Sequence, residues 1–208
     1  MQTATMIYLF QGAALALSAT IMPGPFQAFL LSKALQNGWK RTLPAALAPL
    51  VTDGPIIALV LLILARMPQG LVDLLHLAGG LFILYIAKSI FMSLKSGDDL
   101  SIHSPDAARK SFFQAVMINV LNPNPYIFWA IVGGPIVLSG WRESPLTGIG
   151  FVVGFYGTFV IGLAALILLF ASAGKINPKA NRLLRGIAAV ALLGFGLYQT
   201  LIGIRAIL

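Results

Sequence analysis

The sequence contains no cysteine, which excludes a disulfide framework and any thiolate-based metal or catalytic site. Charge is nearly as scarce: charged residues make up 10% of the 208, where a soluble domain carries about 25%. A chain so poor in charge, 58% hydrophobic and with a mean hydropathy of +0.90, belongs in a bilayer. Acids are the rarest charged group, six in total. With only His76 and His103 beside them, they form neither a hard-cation cage nor a metal-ligand spacing. No metal and no cofactor are therefore expected. A nucleophile–base pairing, a phosphate-binding loop and a dinucleotide fingerprint are also missing, so the chain is expected not to be an enzyme.

What is present is basic charge and length of apolar sequence. The net charge of +8 is carried mostly in short loops between apolar runs. That is how membrane proteins orient themselves, so nucleic acid is not an expected partner. Six segments reach the roughly 20 apolar residues that cross the hydrocarbon core. They lie near 5–32, 43–65, 70–94, 111–139, 145–172 and 183–207. No basic segment precedes the first run, which far exceeds the ~7–15 residues of a signal h-region, so a cleaved leader is not expected. One polar stretch of any length, Lys95 to Lys110, reads as a linker. The expected organisation is residues 1–97, a cytoplasmic linker 98–110, and residues 111–208, all within one membrane domain.

Placing alternate loops on alternate sides puts eleven basic residues on one side: Lys33, Lys40, Arg41, Lys88, Lys95, Arg109, Lys110, Lys175, Lys179, Arg182 and Arg185. Arg66, Arg142 and Arg205 fall on the other. The eleven should face the cytoplasm, leaving both termini outside.

The two halves are alike. Met22-Pro23-Gly24-Pro25-Phe26 precedes a Gly38-Trp39-Lys40 corner, and Leu121-Asn122-Pro123-Asn124-Pro125-Tyr126 precedes Gly140-Trp141-Arg142. Asp53 lies fourteen residues past Trp39, and Phe155 fourteen past Trp141. Three spans per half is odd, so equivalent halves must be inverted in the membrane. The expected fold is all-α and integral to the membrane: six transmembrane helices as two inverted three-helix repeats, with helices 1 and 4 broken.

Proline and glycine at a span's middle strip backbone groups of their helical partners, and lipid supplies no replacement. A lone break would be a packing kink. Two at corresponding positions point to a binding site, where a downstream half-helix offers N–H groups to a carboxylate and freed carbonyls hold a cation. Asp53 is the only acid well inside an expected span. At that depth a carboxylate costs about 2.5–3.5 kcal/mol, so it should face the interior and have a partner. No base lies at matching depth, which disfavours a structural ion pair; a protonated acid bonded to a carbonyl is the competing structural reading. A lone carboxylate near a substrate can hold a proton or an ammonium group but not both, and that exclusion suffices for an antiporter. Tyr126 and Trp129 could wall the site or pack the core. His76 reads as interfacial. Gln11, Gln27, Gln114, Asn119 and Gln199 either line a pathway or join helices. Gly150 and Gly154, extended by Gly157, would let two helices approach closely.

On these motifs, with the intervening "SKALQNGWKRTLPAALAPLVTDG" and "FFQAVMINVLNPNPYIFW", the chain resembles the LysE/RhtB superfamily of amino-acid exporters over most of its length. The resemblance implies substrate binding by Pro23, Gly24, Pro25, Asp53, Asn122 and Pro123; Phe26, Gln27, Asn124, Pro125 and Tyr126, at the two breaks, complete the expected substrate site, with proton coupling expected at Asp53. It implies proton-driven export of amino acids or similar small metabolites across the prokaryotic plasma membrane, often by a homodimer. With one intramembrane acid taken by the α-amine, a neutral amino acid is expected. Two residues depart from the family pattern: Phe26 follows Pro-Gly-Pro in place of a polar residue, and Asn124 follows Asn-Pro in place of lysine. A metal-ion or toxic-ion exporter and a non-transporting accessory protein are the alternatives.

Overall fold

The computed structural model describes residues 2–63, 69–96 and 106–207, and all of the secondary structure among them is helical. Arg66 and most of the expected linker, with Asp98, Asp99 and His103, lie outside the described residues. The helices are α1 (Gln2–Ile21), α2 (Pro25–Thr42), α3 (Ala48–Ile63), α4 (Gln69–Ser96), α5 (Ala107–Leu121), α6 (Pro123–Phe128), α7 (Gly134–Glu143), α8 (Pro145–Ile176) and α9 (Pro178–Ile207). Four of them begin on proline, the residue whose missing N–H and fixed φ cost nothing at the first helical position.

Five stretches are long and apolar enough to cross a membrane: Gln2–Ile21, Pro25–Val60, Gln69–Lys95, Pro145–Gly174 and Pro178–Ala206. A sixth is reached when Ala107–Leu121 and Pro123–Glu143, separated by Asn122, count as one. The protein is therefore a multi-pass membrane protein. The stretch expected to be a loop around Lys33 to Arg41 is instead helical. α2 runs to Thr42, and a 3₁₀ turn over Leu43–Leu47 carries the chain into α3. Gly38 alone leaves helical geometry, at φ 72 and ψ 171, a conformation open to glycine and strained for other residues. Basic residues do not stop a helix. The Lys33 side chain is buried, with its ammonium 5.7 Å from the Phe29 ring centre.

The chain forms two compact units, each discontinuous in sequence. The first comprises residues 1–22, 53–67 and 124–163; the second comprises 23–52, 68–123 and 164–208. The passages from one to the other fall at Met22/Pro23, Thr52/Asp53, Met67/Pro68, Pro123/Asn124 and Leu163/Ala164. Which helices share a unit is a separate property from an internal repeat, and does not decide it.

In the first unit α1 packs on α8 through small residues. Side chains at Gly12 or Gly154 would run into backbone of the opposite helix, Phe151 and Leu9 respectively, and Gly150 sits against Thr5. Gly157 faces open space. The expected close approach is therefore made by Gly150 and Gly154, without Gly157. Lipid tails are as apolar as leucine, so helices in a bilayer hold together by such close packing and by polar links. The second unit is built on α4 against α9, where Gly80 meets Thr200 and Gly203 meets Leu77, over a core that includes Ile83, Ile86, Ile90 and Leu192.

Candidate functional site

Asp53 sits in α3, six residues into the helix and 4% exposed. Its Oδ2 accepts a hydrogen bond of 2.9 Å from the Tyr156 hydroxyl of α8, 103 residues away. One partner that burial demanded is thus a neutral phenol, which donates a single hydrogen bond and carries no charge of its own. The buried Tyr126 of α6 lies within the electrostatic reach of the same carboxylate.

Aromatic rings build the rest of the wall. The Tyr156 ring stacks on Trp129, with centres 6.0 Å apart and 18° between planes. Trp129, 1% exposed, also meets Phe155 edge-on at 5.5 Å and Phe128 at 5.3 Å. The indole finds its room in a π-helical turn over Trp129–Gly133, because any side chain at Gly133 would occupy the space of the Trp129 ring. Wide turns of this kind recur at functional sites. A buried carboxylate of this kind suits an ammonium group by charge.

The remaining expected site residues lie at two interruptions of the helical chain. At the first, α1 ends at Ile21 and α2 starts at Pro25, with Gly24 extended at φ −163 and ψ 175. α2 has no side-chain cap, and Pro25 has no N–H, so its first-turn donors are those of Phe26 and Gln27. Pro25 and Phe26 are buried, Gly24 and Gln27 half-buried, and Pro23 exposed. At the second, Asn122 is extended at φ −84 and ψ 123, and its N–H reaches back to the Asn119 carbonyl at 3.2 Å. Asn122, Pro123 and Tyr126 are buried, Pro125 is half-buried and Asn124 is exposed.

The structure therefore brings Asp53 together with Tyr126 in the first unit and adds Trp129 and Tyr156. Pro23 to Gln27, with Asn122 and Pro123, belong to the second unit. There the Leu121 carbonyl, whose usual donor four residues on is Pro125, packs on Gly79 beside Gln199. Gln199 is 6% exposed and its Oε1 has no partner among the described residues. Asn119 behaves as structural glue, its amide donating to Thr52 Oγ1 at 2.6 Å in a buried setting. His76 is half-buried one turn from Asp73, and Asp73 accepts from Gln69 at 3.3 Å. Among the described residues no three histidine or acidic side chains gather where a metal ion could be held.

Tyr156 is the residue that sequence reasoning missed. The matched fourteen-residue spacing pointed at Phe155, its neighbour, as the counterpart of Asp53, and that was the one available signal.

The family model described as LysE type translocator matches residues 17–202, which is most of the chain. No curated protein matches the sequence, and no solved structure does.

Proposed function

The chain belongs to the LysE type translocator family, a family of transporters and not enzymes, and from that premise we propose that it is a proton-coupled exporter of amino acids or similar small metabolites. One observation carries the reading: the buried carboxylate of Asp53 accepts from a phenol whose ring stacks on Trp129. A substrate amine binds Asp53 from the cytoplasmic side, and a proton arriving from outside displaces it. Because the carboxylate takes one or the other, outward movement of substrate is tied to inward movement of protons. A neutral amino acid fits best, since no second intramembrane acid in the first unit is left for a cationic side chain. The substrate's carboxylate calls for N–H donors of the kind that a helix start offers.

Several finer features belong to the same reading. The two interruptions stand at corresponding positions of two inverted repeats. The eleven-to-three bias of basic residues supports an orientation with both termini outside, and a plasma-membrane location belongs to the same reading. Alternating access is supported by the division of the chain into two units at Met22/Pro23 and Pro123/Asn124, where proline already interrupts the helices.

The test is transport in proteoliposomes under an imposed pH gradient, across a panel of amino acids, with Asp53→Asn alongside. Gradient-driven efflux that the variant abolishes is expected. Undiminished efflux in Asp53→Asn would remove the coupling role, and stabilisation by a metal ion in place of any amino acid would favour an ion exporter.

A further inference from the structure

A groove of about 720 Å³ runs between α4 and α9 of the second unit. Lys179 and Arg182 stand at one end, both exposed, and Phe91, Leu183, Ile187 and Val190 line the rest. The three aliphatic residues are 66%, 52% and 60% exposed and fall on one face of α9 at helical spacing. Gly186 lies on the groove, and a Cβ there would meet nothing within 4 Å. Arg182 is not a loose surface charge: its Nη2 donates to the Leu94 carbonyl at 3.0 Å, which fixes the guanidinium over the last turn of α4.

We propose that this groove binds one anionic phospholipid, with its phosphate on Lys179 and Arg182 and an acyl chain along Leu183 to Val190. Three observations fit that chemistry. Cations sit at one end and apolar side chains along the rest, which is the mirror of an acidic amphiphile. From Lys179 to Val190 the helix rises about 16 Å at 1.5 Å per residue, close to half of the ~30 Å hydrocarbon core, so the trough is one leaflet deep. The cationic end also belongs to the eleven basic residues expected on the cytoplasmic side, where an anionic leaflet is met. A second copy of the chain fits less well. A two-fold axis along the membrane normal would bring both copies' Lys179 and Arg182 to one level, and among the described residues no acid lines the groove to offset them.

The experiment uses the full chain, purified in detergent and titrated with phosphatidylglycerol or with phosphatidylcholine of identical acyl chains, read by native mass spectrometry. The protein is expected to retain phosphatidylglycerol at least tenfold more tightly. Lys179→Ala with Arg182→Ala should weaken that binding about 25-fold, near fivefold per cation, while the matched loss of charge in Lys40→Ala with Lys88→Ala leaves it unchanged. Gly186→Leu fills the trough and should lower occupancy by both lipids with no loss of thermal stability. Equal retention of the two lipids, equal effects of the two charge-loss pairs, or unchanged occupancy in Gly186→Leu would each overturn the assignment. So would a dimer that Gly186→Leu converts to monomer, since the occupant would then be a second copy.

Discussion

The two units treat polar groups in opposite ways. The first holds two of the fourteen basic residues, Arg66 and Arg142, and places a buried carboxylate against a phenol and a stack of aromatic rings. The second holds the other twelve bases, and several of its buried polar side chains are spent on one another or on the backbone. Asn119 joins Thr52, Asn37 joins Ser111 at 3.1 Å, Arg185 joins Ser93 at 2.9 Å, and Asn181 bridges Leu35 and Gly174 carbonyls at 3.2 Å each. A polar group that crosslinks helices is structural; under the proposed function the Asp53 carboxylate is the group that meets a ligand. The comparison teaches that depth and burial alone do not mark a transport site.

The largest expected effect tests the frame that holds the first unit together. Gly154→Leu forces a side chain into the Leu9 backbone, which cannot rotate away as a flexible side chain would. The cost should reach about 3 kcal/mol or more, seen as lost monodisperse protein and a lower melting temperature in detergent. Next comes a pair that separates the two uses of polarity. Asp53→Asn should lower gradient-driven efflux at least about 100-fold, as expected when one partner of a buried charge pair is removed. Its melting should shift by less than about 1 kcal/mol, because the amide oxygen still accepts from Tyr156. Asn119→Ala should do the reverse, costing about 1 kcal/mol of stability with efflux rates per folded molecule unchanged. If both variants moved the same observable, the distinction between the units would fail.

Tyr156→Phe sharpens the same comparison at a smaller scale. The ring keeps its stack on Trp129, and only the donated hydrogen bond to Asp53 is lost. Hydrogen bonds to charged groups are worth about 1.5–3 kcal/mol, so the half-saturating amine concentration should rise about tenfold or more. An unchanged value would mean that Tyr156 serves packing alone.

Much of this was legible in the sequence, for identifiable reasons. Apolar runs announce spans because a bilayer has a fixed thickness, and prolines at 23, 25, 123 and 125 announce interruptions because a missing N–H needs no tertiary context. Asp53 was legible because a lone acid in an apolar run has few structural uses. The rest depended on where distant residues meet. The continuation of α2 through Lys33, Lys40 and Arg41 was hidden because charge was read as loop, whereas the fold buries Lys33 over Phe29 and bends only at Gly38. The bases Arg182 and Arg185 likewise read as loop residues, yet both are helical and tied to α4. Tyr156 carries no local mark at all, since a tyrosine in an apolar helix has no pattern to betray a partner 103 residues away.

The smallest effect lies on the same helix as the largest. Gly157, three residues beyond Gly154, is exposed and would place a Cβ in open space. Replacing it with alanine removes the backbone freedom of the unfolded chain without asking any neighbour to move, and should stabilise α8 by about 0.5–1 kcal/mol. Thermal unfolding of Gly157→Ala beside Gly154→Ala checks this, with the first raised slightly and the second lowered. Efflux in Gly157→Ala should match the unsubstituted protein, because Tyr156 is unaltered and a Cβ at position 157 meets no neighbour. Equal destabilisation by the two substitutions would show that α8 is held by glycine flexibility along its length. In that case the close approach of α1 to α8 at Gly12 and Gly154 would not be what positions Tyr156 beside Asp53.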